Sequence, residues 1–197
     1  MVVAALGDSL SGGYFIDGRY VDDPSAAYPA FVAQHIQAAR LGIVGIAGAV
    51  IDTIVESIGQ LPPDADLLLV NAGTNDMVVV GEGLRTLEQI CKNFDAMIAL
   101  SRAWMPAARI VVVGLRDVAR MDPDRIACPH AIRPLRNAVG MREATRAFNE
   151  HILALPATTP VDLASREGSE SVTLFPDAIH PSPLGVKWIA QAVLEAL

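Results

Sequence analysis

Apolar residues fall along this chain in two alternating rhythms. Five short runs stand out: "VVAAL" (2–6), "LGIVGIA" (41–47), "DLLLVNA" (66–72), "RIVVVGL" (109–115) and "TPVDLAS" (159–165). They are too short for helices and several are β-branched, so they read as strands. Between them, apolar positions recur every three or four residues. "DDPSAAYPAFVAQHIQAAR" (22–40) predicts a helix with Asp23 as N-cap and Pro24 in the first helical position. "GLRTLEQICKNFDAMIALSRAW" (83–104) predicts a long amphipathic helix, stopped by Pro106. "NAVGMREATRAFNEHILAL" (137–155) predicts another, and "SPLGVKWIAQAVLEAL" (182–197) closes the chain with Ser182 capping. Residues 49–60 predict a shorter helix. Strand alternating with helix implies an α/β fold, a parallel sheet between helical layers joined by right-handed crossovers.

Two stretches exceed ordinary loop length. "SGGYFIDGRYVDD" (11–23) follows the first strand, and "RDVARMDPDRIACPHAIRPLR" (116–136) follows the fourth. Both leave the carboxyl end of a strand, the edge at which open α/β sheets bind ligands. They are therefore candidate substrate walls, and 116–136 is a candidate lid.

Composition narrows the picture. The 197 residues suit one domain spanning 1–197, and with 52% hydrophobic but only 5% aromatic residues, aliphatic side chains must fill the core. A net charge of −7 argues against a nucleic-acid partner, which needs a clustered positive field. The basic stretch from Arg116 to Arg146 is interrupted by acids and reads as a solvated face. No apolar run approaches the roughly 18 residues of a membrane span, so stable membrane insertion is not expected. No basic leader follows Met1, which points to a cytoplasmic location, or to a secreted or periplasmic one if a leader has been removed. Cys91 and Cys128 have no metal-ligand spacing. Leu84, Leu87, Cys91, Phe94 and Ile98 recur at helical spacing, which turns Cys91 toward the core; Cys128 is expected to be exposed, and a bridge between the two stays open.

The candidate chemistry begins where the first strand ends. "AALGDSLSGGY" (4–14) breaks an apolar run with Gly-Asp-Ser, placing the Ser9 hydroxyl at the sheet's carboxyl edge. A serine attacks only when a base takes its proton, so a histidine is needed. His35 and His151 fall mid-helix and read as surface or core residues; His130 sits in the long 116–136 stretch and reads as an exposed loop residue. His180 lies in "FPDAIHPSPLG", three residues after Asp177, a spacing at which a carboxylate can fix the imidazole tautomer. The alternative is that Asp177 merely caps backbone. Donors for an oxyanion are available on neighbouring strand ends: Gly48 in "GIAGAV" and Asn75 in "NAGTNDM". Each has a plain reading as well, Gly48 as a tight strand exit and Asn75 as a turn residue. All four signals share one edge of the sheet.

In combination these blocks resemble the SGNH, or GDSL-type, hydrolase family of esterases and lipases. "GDSL" (7–10) resembles its nucleophile block, "GIAGAV" (45–50) its glycine block, "GTND" (73–76) its GxND block and "DAIH" (177–180) its DxxH block. "SAAYPAF" (25–31) further resembles bacterial lysophospholipase- and thioesterase-type members. The flanks of Gly48 depart from the family pattern, which often has Asn shortly before this glycine and Asp or Ser after it. The 12–23 stretch also looks longer than in compact relatives.

The resemblance implies a flavodoxin-like three-layer α/β/α sandwich with five parallel strands in the order 2-1-3-4-5. It implies a triad of Ser9, His180 and Asp177, and an oxyanion hole of the Ser9 N–H, Gly48 and Asn75. The implied activity is hydrolysis of small carboxylic esters through an acyl-enzyme. Tyr14, Phe15 and Ile179 are candidates to contact the acyl group; the alternative is that the loop aromatics only pack the loop onto the domain. Short- to medium-chain acyl esters or lysophospholipid-like substrates fit best, with carbohydrate O-deacetylation and a non-catalytic binding module as the other readings. "GDSLSGG" is neither a phosphate loop nor a dinucleotide fingerprint, so no metal or organic cofactor is expected.

Overall fold

The computed structural model describes residues 1–116 and 138–197. His130, Cys128 and the body of the candidate lid lie outside the described residues. Five strands form one parallel sheet: β1 (Val2–Gly7), β4 (Arg40–Gly45), β5 (Leu67–Asn71), β6 (Arg109–Val113) and β7 (Thr159–Val161), in the order β4-β1-β5-β6-β7. In chain order of the sheet strands this is 2-1-3-4-5. The second main-sheet strand leaves β1 on one side and the later ones build outward on the other, so β1 lies where the winding reverses. In an open α/β sheet that reversal opens a crevice at the strands' carboxyl ends.

The strand residues alternate between two separate cores. Ala4, Leu6, Leu68, Val70, Ile110 and Val112 face one helical layer, built from α3 (Ile51–Val55), α5 (Leu87–Trp104) and α6 (Ala138–Leu153). Val3, Ala5, Leu67, Leu69, Val111 and Val113 face the other, built from α2 (Tyr28–His35) and α7 (Pro183–Ala196). A strand buried on both faces must be apolar at consecutive positions, and this accounts for the unbroken runs in the sequence. Phe94 on α5 meets Phe148 on α6 edge to face at 5.5 Å, closing the first layer.

Helix starts follow local chemistry. Thr86 and Gln89 form a reciprocal capping box on α5. Leu84 therefore lies before that helix and is 70% exposed, contrary to the expectation that it continues the apolar stripe. Ser182 caps α7, accepting from the Gly185 N–H at 3.2 Å. Asp23 does cap, but it caps a short turn over Pro24–Ala26, and α2 starts only at Tyr28. The helix predicted over 49–60 is reduced to α3 and a further turn at Ile58–Gln60. A short helix after β5, α4 (Thr74–Gly81), begins inside "GTND" and was not anticipated.

The largest departure from the sequence expectation is at 11–23. Instead of an irregular loop, the chain forms α1 (Ser9–Gly12) and then a β-hairpin, β2 (Gly13–Ile16) and β3 (Arg19–Asp22). Asp17 and Gly18 make its tip with φ of 51° and 75°. Positive φ at both central residues is the two-residue turn whose twist matches antiparallel strands, and Asp-Gly is a favoured sequence for it. Among the described residues, no helix is long and apolar enough to cross a membrane.

Candidate active site

Gly7 ends β1, and the chain turns at once into α1. Asp8 caps that turn through its side chain, which accepts from the Leu10 N–H at 3.0 Å. The turn needs glycine because backbones touch there. A Cβ on Gly12 would stand 2.6 Å from the Gly45 carbonyl oxygen of β4. The close contact seats α1 against the sheet and holds Ser9, 4% exposed, at the crevice.

The other half of the constellation comes from the loop before α7. His180 Nε2 lies 3.0 Å from Ser9 Oγ, and its Nδ1 lies 2.6 Å from Asp177 Oδ2. The second carboxylate oxygen of Asp177 accepts from the backbone N–H groups of Ile179 (3.0 Å) and His180 (2.7 Å). With the carboxylate accepting at Nδ1, the Nδ1 proton is fixed in place and Nε2 is left bare to accept from the serine hydroxyl. Asp177 thus both caps backbone and orients the His180 imidazole. The two readings that the sequence left open are one arrangement.

The DxxH loop is braced from β6. The guanidinium of Arg116, 2% exposed, donates to the carbonyls of Ser169 and Ala178, each at 2.5 Å, and lies 3.2 Å from the centroid of the Phe175 ring. Burial pushes its pKa down to about 9, opposed by the nearby Asp177. Ala178, whose carbonyl it holds, has a φ of +73°, a conformation costly for a residue with a Cβ. Sequence reading assigned Arg116 to a solvated basic face; the structure makes it a buried clamp. Its position at the carboxyl end of an apolar strand was the available signal.

Gly48 and Asn75 lie just beyond β4 and β5, the two strands that pair with β1. Gly48 follows β4 with a φ of +74°, the left-handed conformation that glycine adopts without steric cost. Asn75, in the first turn of α4, donates from its amide to the Ala49 carbonyl at 2.9 Å. That bond ties the two strand ends together and leaves a second amide N–H on Asn75. Beneath them Asp76 accepts from the Ile51 N–H at 3.1 Å. Burial raises both Asp8 and Asp76 to a pKa of about 6, and the nearby Asp8 and Asp52 carboxylates raise Asp76 further.

The hairpin lies over the base. The Phe15 ring stacks nearly parallel to the His180 imidazole, with centroids 6.4 Å apart, and Tyr20 tilts against it at 4.8 Å. Tyr14 packs at the edge of the core shared with α2 and α7, and Ile179, 6% exposed, packs in the opposite core. The remaining described histidines stand apart: His35 is exposed at the end of α2, and His151 pairs with Asp95 on the surface at 2.8 Å. Cys91 is partly buried against the α5 layer, and burial raises its thiol pKa.

Comparison with known proteins agrees with this architecture. An extracellular lipase from Streptomyces rimosus superposes with a TM-score of 0.73 at 19% identity, covering 100% of this chain and 99% of that one. Phospholipase A1 from Streptomyces albidoflavus NA297 gives 0.70 at 20% identity, covering 100% and 99%. A lipase/acylhydrolase from Enterococcus faecalis gives 0.69 at 17% identity, covering 98% and 93%. Among curated proteins no match is found. At these identities the structural likeness establishes the fold. The family follows from the sequence itself, whose residues 5–188 match the GDSL-like lipase/acylhydrolase family throughout. The chain belongs to that family and is an ester hydrolase.

Proposed function

We propose that the protein hydrolyses carboxylic esters of short- to medium-chain acids, or lysophospholipid-like esters, through an acyl-enzyme on Ser9. One observation carries the reading: Ser9 Oγ, His180 and Asp177 form a continuous hydrogen-bonded array at the carboxyl edge of β1, with contacts of 3.0 and 2.6 Å. In that array Ser9 Oγ attacks the ester carbonyl carbon while its proton passes to His180 Nε2. Negative charge gathers on the former carbonyl oxygen, for which the Ser9 N–H, the Gly48 N–H and the Asn75 amide are the donors. Collapse breaks the bond to the leaving oxygen, which takes the proton from Nε2 and departs as the alcohol. Water then gives its proton to Nε2 and attacks the acyl-serine, and Ser9 recovers its proton as the carboxylic acid leaves. Asp177 keeps the imidazole in one tautomer and stabilises the imidazolium formed at each stage.

The test is hydrolysis of p-nitrophenyl esters from C2 to C12 by the wild type and by Ser9→Ala. Activity that rises toward C4–C8 and vanishes in the variant is expected. Activity surviving in Ser9→Ala overturns the acyl-enzyme. A profile confined to acetyl esters, with turnover of acetylated sugars, moves the assignment to carbohydrate deacetylation.

A further inference from the structure

The β2–β3 hairpin grips both ends of the reacting pair. Its Tyr20 hydroxyl donates to the backbone carbonyl of Ser9 itself, at 2.9 Å. The Tyr20 ring lies 4.8 Å from the His180 ring, centroid to centroid, at 46°. From the other strand, the Phe15 N–H donates to the Pro181 carbonyl at 2.7 Å, beside the base, and the Phe15 ring runs parallel to the imidazole within 8°. Gly13 admits this packing: a Cβ there would stand 2.7 Å from the Tyr20 hydroxyl. Ser9 and His180 are 171 residues apart in sequence and arrive on different elements. The hairpin therefore links the two by both backbone and ring contacts.

We propose that this hairpin is a positioning clamp, with Tyr20 as the residue that sets the Ser9–His180 alignment and Phe15 as its second jaw. The inference rests on the ester-hydrolase reading of the same site. A hydrogen bond to the Ser9 carbonyl restrains the peptide that carries Oγ, and two aromatic rings beside the imidazole limit the movement of the ring that must receive its proton. The Tyr20 ring, 4.8 Å away, also attracts the imidazolium once it forms, because an aromatic ring draws a cation at that range. In this role the aromatics act on kcat rather than on substrate binding, as an interaction realised only in the transition state does.

The experiment compares Tyr20→Phe, Tyr20→Leu and Phe15→Leu with the wild type. Each is read by kcat and KM on p-nitrophenyl butyrate, by the rate of covalent labelling with a fluorophosphonate and by melting temperature. Tyr20→Phe keeps the ring and loses one hydrogen bond, and its kcat falls about 3- to 10-fold at constant KM. Tyr20→Leu loses the ring as well and falls about 10- to 100-fold, with Phe15→Leu between them; labelling slows in the same order. A rise in KM at unchanged kcat overturns the clamp and makes the hairpin a substrate wall. Unchanged kcat and labelling in Tyr20→Leu overturn it outright. If Tyr20→Leu does not fold, Tyr20→Phe, which differs by one oxygen atom, decides alone. Fluorophosphonate labelling needs only an activated Ser9. A wild type that labels but cleaves no ester thus fails the substrate reading while the labelling series still judges the clamp, and one that does neither overturns both.

Discussion

Replacing Asp177 by Asn exchanges one oxygen for an amino group and tests the proton geometry of the proposed triad directly. The side chain is held from two sides, by the Ile179 and His180 N–H groups on Oδ1 and by His180 Nδ1 on Oδ2. An amide can sit there in two ways. With its oxygen on the backbone donors, its NH2 faces Nδ1, which must then be bare, and the imidazole proton moves to Nε2. Flipped, the NH2 confronts two buried N–H groups and leaves both unpaired, at about 1–3 kcal/mol each. The first orientation is therefore favoured by about 2 kcal/mol or more, a ratio of roughly 30 or above. It puts an N–H toward Ser9 Oγ, 3.0 Å away, where a lone pair is needed. A triad imidazole in the wrong tautomer costs about 10^4-fold in kcat. Asp177→Asn should show that loss on p-nitrophenyl butyrate at pH 7–8 with a melting temperature near wild type, because the backbone bonds survive. Nitrogen-15 NMR should find the His180 proton on Nδ1 in the wild type and on Nε2 in the variant. A kcat within tenfold of wild type, or an unchanged tautomer, would refute the reasoning.

Three further outcomes are expected. Arg116→Met strips the donors from the Ser169 and Ala178 carbonyls, so urea unfolding should show a loss of about 2–4 kcal/mol, and kcat should fall because Ala178 lies between Asp177 and His180; unaltered unfolding would deny the clamp. Asp76 binds its proton with a pKa of about 6 in the folded protein against 3.8 in the unfolded chain, so its contribution to stability falls as pH rises through that window, by about 3 kcal/mol in all. Asp76→Asn, which keeps an acceptor for the Ile51 N–H, should match wild type at pH 4 and exceed it at pH 7 in urea titrations; a constant difference across the range would contradict the burial argument. Gly12→Ala drives a Cβ to 2.6 Å from the Gly45 carbonyl and should cost about 1–3 kcal/mol with a loss of kcat, since α1 carries Ser9; a neutral variant would show that α1 can shift freely.

The sheet was legible because its strands are buried on both faces. An apolar run bounded by turn residues has few other uses, and the strand order followed from the family resemblance. The Ser9–His180–Asp177 array was legible for a related reason: Ser9 and the 177–180 loop interrupt apolar patterns at strand or loop ends, where a core gains nothing from them. The hairpin was missed although "YFIDGRYV" carries its own signature, alternation around Asp-Gly. The stretch reads as a loop because a two-stranded ribbon has no independent core to announce it; it is held by Pro181, Ser9 and His180, contacts that exist only after the chain has closed. Arg116 was missed for the opposite reason. Its charge suggested solvent, while its partners are carbonyls 53 and 62 residues further on. Sequence spacing registers neighbours along a strand or helix and is blind to a side chain whose partners are distant backbone.

The three-residue interval in DxxH has a physical cause that this geometry makes explicit. A carboxylate followed by a turn can accept from the N–H groups two and three residues on, and here it does so with one oxygen. Those two bonds fold the backbone back, and the side chain of the residue three positions along then returns within reach of the remaining oxygen. The turn is obtained at the expense of Ala178, forced to a φ of +73°, about 1–3 kcal/mol of strain. Two buried bonds from Asp177 and one from Arg116 offset it. The tautomer of His180 is thus fixed by one oxygen of the side chain whose other oxygen makes the turn stable, so damage to the turn should carry over to catalysis, whereas Asp177→Asn, which keeps the turn bonds, should separate the two.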